Sequence, residues 1–424
     1  MNNVRVLQRE LYRAAKAQKE RRFGVLYDKV YRADILWEAW ERVRANKGAA
    51  GVDGQTIQDI EQAGVGQFLQ GLADELREKR YRPNRVRRTY IPKPGKTEKR
   101  PLGIPVVKDR VVQAAVKLLI EPIFEADFQP CSYGFRPKRD AQQALEAVAK
   151  YVTYGCAQVI DADLKGYFDS IPHEKLMNVI TRRISDVQVL RLIRWWSKAG
   201  VLEDDHVTYS NTGTPQGGVI SPLLANIYLN ELDRVWTERG YNSIRYEAHL
   251  VRYADDMVIL CRKDTRRYYA EFKQEIERLG LALNKTKTRV VDAKDGFDFL
   301  GIRFAYKRSR QGKMNCYKWP TPQAVSRIKE KVRRAIGGRG HWNMADAIQR
   351  VNPIVRGWGN YFRYGNSFEQ FEKVDRYVWW RLRWRYYVEH RKHRRGMRDF
   401  PRDLKRDSGL YRLRGTLRRY GAEC

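Results

Sequence analysis

The chain has 424 residues, 42% of them apolar, a globular proportion that excludes disorder as the default and allows two or three domains with sizeable cores. Lys and Arg number 83 against 50 Asp and Glu, a formal net charge of +33, which points to polyanionic partners and to nucleic acid first, because each neutralised phosphate releases counterions. No run approaches the roughly 20 apolar residues of a spanning helix, residues 1–22 lack a signal-peptide core, and Cys131, Cys156, Cys261, Cys316 and Cys424 form no CxxC pair, so membrane insertion, export, a zinc site and a disulfide framework are unsupported and a reducing cytosol fits.

Residues 1–80 read as helical. Asp34-Ile35-Leu36-Trp37-Glu38-Ala39-Trp40 opens an amphipathic helix with Asp34 as its N-cap. The Gly-rich stretch from Asn46 to Gly54 reads as a loop. Arg87-Arg88-Thr89-Tyr90-Ile91-Pro92 then reads as a strand entering a turn at Lys93-Pro94-Gly95. Apolar residues recur at helical spacing from Asp109 to Ile120. Alternation from Ala157 to Asp163 is strand-like, and Val251 to Cys261 holds two short apolar runs around a polar turn. Strands mixed with helices predict an α+β middle domain. Near residue 320 the composition shifts to helical, very basic, Trp-rich segments, including Tyr377-Val378-Trp379-Trp380-Arg381-Leu382-Arg383-Trp384-Arg385-Tyr386-Tyr387.

Chemistry is concentrated in two acidic clusters. Asp255 and Asp256 lie between apolar runs in Arg252-Tyr253-Ala254-Asp255-Asp256-Met257-Val258-Ile259-Leu260. Adjacent carboxylates repel, and burying them unpaired is costly. A hairpin tip that binds divalent cations resolves the conflict, and hard ions such as Mg²⁺ take oxygen ligands. A solvated turn is the plainer alternative for an isolated Asp-Asp. The second cluster, Val159-Ile160-Asp161-Ala162-Asp163-Leu164-Lys165-Gly166-Tyr167-Phe168-Asp169, ends an apolar strand. Asp161 and Asp163 are two apart and share a strand face. Two acidic strand ends suggest halves of one metal site.

The Tyr-Ala-Asp-Asp hairpin resembles motif C of reverse transcriptases, and Asp163 through Phe168-Asp169 resembles their motif A. The resemblance implies Asp163, Asp255 and Asp256 as catalytic metal ligands, with Asp161 as runner-up for Asp163 and Asp169 structural. It implies two Mg²⁺ ions, with Mn²⁺ as a possible substitute, in an in-line displacement. Thr214-Pro215-Gln216-Gly217-Gly218-Val219-Ile220-Ser221-Pro222-Leu223-Leu224-Ala225-Asn226 resembles motif B, which puts Gln216 near the incoming nucleotide and Gly217 against nucleic acid. Ile91 to Pro105 resembles the fingertip hairpin, with Lys93 and Arg100 on the triphosphate. Phe168 matches the side chain that excludes a ribose 2′-hydroxyl; core packing is its alternative role. Ser132-Tyr133-Gly134-Phe135-Arg136-Pro137 matches a finger motif whose Arg136 meets template backbone or a carboxylate. Asn284-Lys285-Thr286-Lys287-Thr288 resembles motif D, with Lys287 as proton donor to pyrophosphate, and Phe297 to Ile302 resembles the primer grip.

Asn46 to Gly54 is similar to the N-terminal extension of group II intron enzymes, and Asn352-Pro353 through Trp358-Gly359-Asn360-Tyr361-Phe362 to their maturase-specific thumb. The expected architecture is a right-hand polymerase of α+β class: N-terminal extension and start of fingers (1–80), fingers and palm with an antiparallel sheet plus helices (81–310), an α-helical thumb (311–395) and a short basic DNA-binding tail (396–424). Arg356, Arg381 and Arg385 would meet nucleic acid, with rings for exposed bases; thumb core is the alternative for Trp358, Trp379 and Trp384. Implied partners are the group II intron RNA, an RNA template with DNA primer, target DNA and dNTPs, and no membrane, in a bacterial cytosol or on its nucleoid. No cysteine-pair ligands of an HNH endonuclease are seen, so a mobile form is expected to borrow its primer. The rival readings are a domesticated or defence-linked reverse transcriptase, an RNA-binding maturase without polymerase activity, and an RNA-dependent RNA polymerase.

Overall fold

Amphipathic spacing builds the N-terminal region. In a computed structural model, which describes residues 3–92, 99–203, 206–208, 212–213, 217–243, 247–337, 343–390 and 409–418, helix Asn3–Ala17 buries Val4, Leu11 and Ala15. Helix Ala33–Ala45 buries Ile35, Leu36, Ala39, Trp40 and Val43 on one face. Both pack on helix Val107–Glu125, which is buried along almost its whole length. Asp34 is not the cap expected. The N-cap is Arg32, without a side-chain cap bond, and Asp34 instead receives the Arg32 guanidinium at 3.0 and 2.7 Å. A capping box forms further on, where Thr56 and Asp59 exchange hydrogen bonds at the start of helix Ile57–Ala63.

Among the described residues, eleven strands follow in chain order: β1 (Val86–Pro92), β2 (Lys99–Ile104), β3 (Gln158–Ala162), β4 (Val201–Glu203), β5 (His206–Thr208), β6 (Ala248–Tyr253), β7 (Asp256–Cys261), β8 (Arg289–Asp292), β9 (Phe297–Phe299), β10 (Ile302–Arg308) and β11 (Met314–Pro320). They form three sheets, ordered β2-β1-β4-β5, β6-β7-β3-β8 and β11-β10-β9. β1 and β2 are antiparallel, with Arg87 opposite Ile104 and Ile91 opposite Arg100. β3 and β8 are antiparallel, with Asp161 opposite Arg289. The mixture of helices and mostly antiparallel sheets is the α+β class expected.

The chain divides into two compact units. One comprises Met1–Asp140, Ala162–Met257 and Arg266–Thr288; the other comprises Ala141–Asp161, Val258–Thr265 and Arg289–Cys424. Helices of the first 80 residues pack on helix Val107–Glu125. In the second unit, β10 and β11 carry helix Ala141–Thr153, and helices Pro322–Ile336, Met344–Phe362 and Phe368–His390 pack together. The segment 409–418 docks on those helices. Asn352 binds the Gly409 carbonyl and the Tyr411 N–H, each at 2.8 Å, while Asp375 accepts from the Leu413 and Arg414 N–H groups. This portion of the tail is therefore held by its backbone. The rest of the tail, 396–408 and 419–424, lies outside the described residues.

Among the described residues, no helix is long and apolar enough to cross a membrane.

Candidate active site

Asp163 follows directly on β3. Its carbonyl accepts from the Asn284 N–H at 2.8 Å, Leu164 bridges Leu283, and the Lys165 N–H donates to the Ala282 carbonyl at 2.9 Å. This antiparallel pairing brings the Asn284–Thr288 segment alongside. Lys287 Nζ then lies 3.0 and 2.9 Å from the two Asp163 carboxylate oxygens. Asp161, the runner-up, lies on β3 opposite Arg289, whose Nε meets its carboxylate at 3.1 Å. Each acid therefore has its own cation.

Tyr167 and Phe168 sit on the short helix Tyr167–Ser170. Tyr167 is buried and its hydroxyl donates to the Ala225 carbonyl at 2.6 Å, fixing this helix to helix Ser221–Glu238. The half-buried Phe168 packs its ring 5.6 Å from that of Tyr167. Burial pushes the Tyr167 phenol well up; Arg252 opposes the shift and Asp255 adds to it. Asp255 is thus within electrostatic reach of the turn that follows Asp163.

β6 and β7 form the expected hairpin around the acids. Ala254 takes φ 57°, a left-handed conformation that side chains rarely adopt, at the residue before Asp255. Asp255 is half-buried and Asp256 exposed. The turn rests on the segment Cys131–Gly134. Arg252 N–H donates to the Cys131 carbonyl at 2.8 Å, and Tyr133 N–H to the Arg252 carbonyl at 2.9 Å. A Cβ on Gly134 would stand 2.4 Å from the Ala254 nitrogen, so only glycine permits this approach. Gly217 is comparable: at φ 123°, a Cβ there would stand 2.2 Å from the Gly103 carbonyl oxygen on β2. Its close contact in this structure is protein backbone.

Arg136 takes the carboxylate alternative. It is buried, its Nε and Nη2 reach Glu125 at 3.0 and 2.7 Å, and its Nη1 reaches the Gln129 and Ser132 carbonyls at 2.7 Å. In this structure those donors are engaged within the protein. Lys93 and Gln216 lie outside the described residues, as does the Arg100 side chain. In the other unit, Arg356 lies over the Tyr411 ring at 4.9 Å, and Arg381 lies over Trp380 at 5.8 Å and Trp384 at 5.1 Å. Trp358 packs on Phe362 and Phe371, as thumb core, whereas Trp380 and Trp384 are 53% and 45% exposed.

Among the described residues, no three acidic, histidine or cysteine side chains converge to hold a metal ion. Asp163, Asp255 and Asp256 are therefore not a ready-made cage, and the Asp163 charge is met by Lys287. Their chemistry still fits Mg²⁺, which takes hard oxygen donors and binds through one or two carboxylates together with substrate phosphates.

Sequence reasoning overlooked Arg252. It is fully buried, as is its partner Asp233, with Nε 2.9 and 3.0 Å from the two carboxylate oxygens. Burial alone would lower its pKa, but the facing Asp233 outweighs that and raises it. An arginine within the otherwise apolar run Leu250-Val251-Arg252 was the available signal.

Comparison with known proteins fits this geometry. Residues 91–304 match the family described as reverse transcriptase (RNA-dependent DNA polymerase). Residues 325–401 match the maturase-specific domain of group II introns. Protein YkfC of Escherichia coli (strain K12) is 37% identical over 346 residues, covering 73% of this chain and 90% of YkfC. The group II intron-encoded protein LtrA of Lactococcus lactis subsp. cremoris is 40% identical over 216 residues, 50% of this chain and 35% of LtrA. A putative COX1/OXI3 intron 2 protein of Saccharomyces cerevisiae is 28% identical over 324 residues, 63% of this chain and 37% of that protein. The match that contains both acidic clusters, with the intron-type domain behind it, settles the kinship: the chain belongs to the reverse transcriptase (RNA-dependent DNA polymerase) family and carries a group II intron maturase-specific domain.

Proposed function

We propose that this chain extends a DNA primer on an RNA template, with Asp163, Asp255 and Asp256 as the acids of the reacting centre, and that it also binds its group II intron RNA to assist splicing and mobility on target DNA. The observation that most supports the site is the anchored hairpin, in which Arg252 and Tyr133 bind the neighbouring backbone and Ala254 stands left-handed directly before Asp255. In the reaction the primer 3′-hydroxyl oxygen bonds to the α-phosphorus of a dNTP, the bond to pyrophosphate breaks, and the hydroxyl proton passes to solvent water. Two Mg²⁺ ions, or Mn²⁺ in their place, would supply charge neutralisation and hydroxyl activation when bound to these carboxylates.

The remaining roles belong to the chain. Lys93 and Arg100 offset triphosphate charge. Gln216 and Gly217 line the nucleotide site, and Phe168 closes the space a 2′-hydroxyl needs. Lys287, released from Asp163, hands a proton to the departing pyrophosphate. Arg356, Arg381 and Arg385 meet RNA phosphates, and Trp380 and Trp384 offer faces to unpaired bases. Binding would stabilise one ribozyme fold by offsetting phosphate repulsion. The site of action is the bacterial cytosol, at the nucleoid when DNA is the target.

Primer extension on an RNA template with Mg²⁺ tests the polymerase reading: wild type extends with dNTPs and Asp255→Ala does not. Equal extension by both removes the site assignment. Splicing of the flanking intron at low Mg²⁺ tests the second role, and no stimulation by the protein removes it.

A further inference from the structure

The buried arginine behind the hairpin has more contacts than charge neutralisation requires. Arg252 spends Nε on both oxygens of Asp233. Nη2 donates to Ser132 Oγ at 2.8 Å as well as to Asp233. Nη1 donates to Asn226 Oδ1 and to the Ala254 carbonyl, both at 2.9 Å. Asn226 in turn donates through Nδ2 to the Gly134 carbonyl at 2.7 Å. One guanidinium therefore joins helix Ser221–Glu238, the Cys131–Gly134 segment and the turn itself. Its bond to that turn falls on Ala254, the residue at φ 57°, directly before Asp255. A left-handed alanine persists only where its surroundings over-determine it. A buried ion pair is a poor source of net stability, since an apolar replacement is often as stable. Asp233 alone would not need the fork, whereas a fixed turn does: lysine carries the charge but not the planar set of donors.

We propose that Arg252 is a positioning residue: by holding the Ala254 carbonyl from its buried seat on Asp233, it fixes the direction in which the Asp255 carboxylate points during nucleotide addition. This rests on the reading of Asp255 as an acid of the reacting centre.

The test compares Arg252→Lys, which keeps the charge opposite Asp233, with Ser132→Ala, which removes one bond of the same guanidinium away from the turn. Single-turnover incorporation on an RNA template is measured with active enzyme titrated, alongside melting temperature and Mn²⁺ binding by electron paramagnetic resonance without nucleic acid. Misplacing a reacting group by about 1 Å costs roughly 10²-fold. We expect Arg252→Lys to lose at least about 30-fold in rate on that scale, with the KM for dNTP little changed and Mn²⁺ bound more weakly. Ser132→Ala keeps the wild-type rate. A lowered melting temperature with unchanged titrated rate and unchanged Mn²⁺ affinity in Arg252→Lys would make the network purely structural and overturn the proposal. If Arg252→Lys does not fold, Asn226→Ala loosens the same Nη1 donor with the Asp233 pair intact; a rate loss supports the proposal and a wild-type rate overturns it. If wild type itself fails to extend primers, the polymerase reading fails, and the Mn²⁺ comparison still decides whether Arg252 shapes the hairpin.

Discussion

Replacing Gly134 by alanine should injure the reaction far more than the fold. The added Cβ would stand 2.4 Å from the Ala254 nitrogen and 2.9 Å from the Tyr253 carbonyl carbon. Unbonded carbon contacts are comfortable at about 3.5–4.0 Å, so the hairpin or the Cys131–Gly134 segment must move by about 1 Å. Both neighbours are backbone, and no side-chain rotation relieves the clash. Overpacking of this kind costs about 1–3 kcal/mol of stability. The same displacement carried to Asp255 costs on the order of 10²-fold in rate. Gly71→Ala is the control. That glycine lies in helix Val65–Arg77 with nothing within 4 Å of a built Cβ, so alanine should stabilise by about 0.5–1 kcal/mol and leave the rate alone. Single-turnover addition of one dNTP on an RNA template, read with melting temperature, separates the two effects. A Gly134→Ala rate within about threefold of wild type, far short of that 10²-fold scale, would refute the argument that this contact places the hairpin.

Other outcomes follow from the same contacts. Burial pushes the Asp109 carboxyl up to about 6, although the Tyr81 hydroxyl and the Asn84 N–H both donate to it. Folding thus raises its proton affinity: the stability it contributes is full below about pH 4 and is lost as pH rises through about 6, at most about 3 kcal/mol. Asp109→Asn should flatten that slope in a melting-temperature series; an unchanged slope would place its origin elsewhere. Lys287→Met removes the ammonium from Asp163, an exposed pair contributing about 0–1 kcal/mol to stability. Stability should hardly change, Mn²⁺ binding should tighten and nucleotide addition should fall; unchanged Mn²⁺ affinity would contradict the reading that Lys287 competes with a cation there. Trp380→Ala and Trp384→Ala should each weaken RNA binding by about 1–3 kcal/mol at fixed salt with little loss of stability. Wild-type affinity in both would remove these rings from the interface.

The parts legible from sequence were those set by local periodicity. The hairpin around Asp255 and Asp256 could be read because its apolar runs flank a polar turn, and helix Val107–Glu125 because its apolar residues recur at helical spacing. What stayed hidden depends on distant partners. Lys287 and Asp163 are 124 positions apart, and their pairing follows from the contact of Leu164 with Leu283. Arg252 reads as one more cation in a basic chain until Asp233 and Ser132 are placed around it. For Arg136 the sequence allows template or carboxylate, and only the fold shows that Glu125 lies within its reach. Gly217 reads from sequence as lying against nucleic acid, and the group it meets in this structure is Gly103; the approach of Gly134 to Ala254 has no sequence signal. Asn352 and Gly359 belong to the segment that resembles the maturase-specific thumb, and the sequence does not show what they meet. Their partner is the C-terminal segment: Asn352 binds its backbone and Gly359 leaves room for Leu413.

The central claim is that Asp163 and the hairpin acids form one reacting centre, and a double-mutant comparison tests it most directly. Single-turnover incorporation on a DNA-primed RNA template is measured for wild type, Asp163→Asn, Asp255→Asn and the double variant, each confirmed folded by its melting temperature. Groups that act as a unit lose almost everything with the first removal. The account predicts that each single variant is slower by at least about 10³-fold and that the double is no slower than the worse single. A rate for Asp163→Asn above about one-tenth of wild type, or losses that multiply in the double variant as independent sites do, would contradict it.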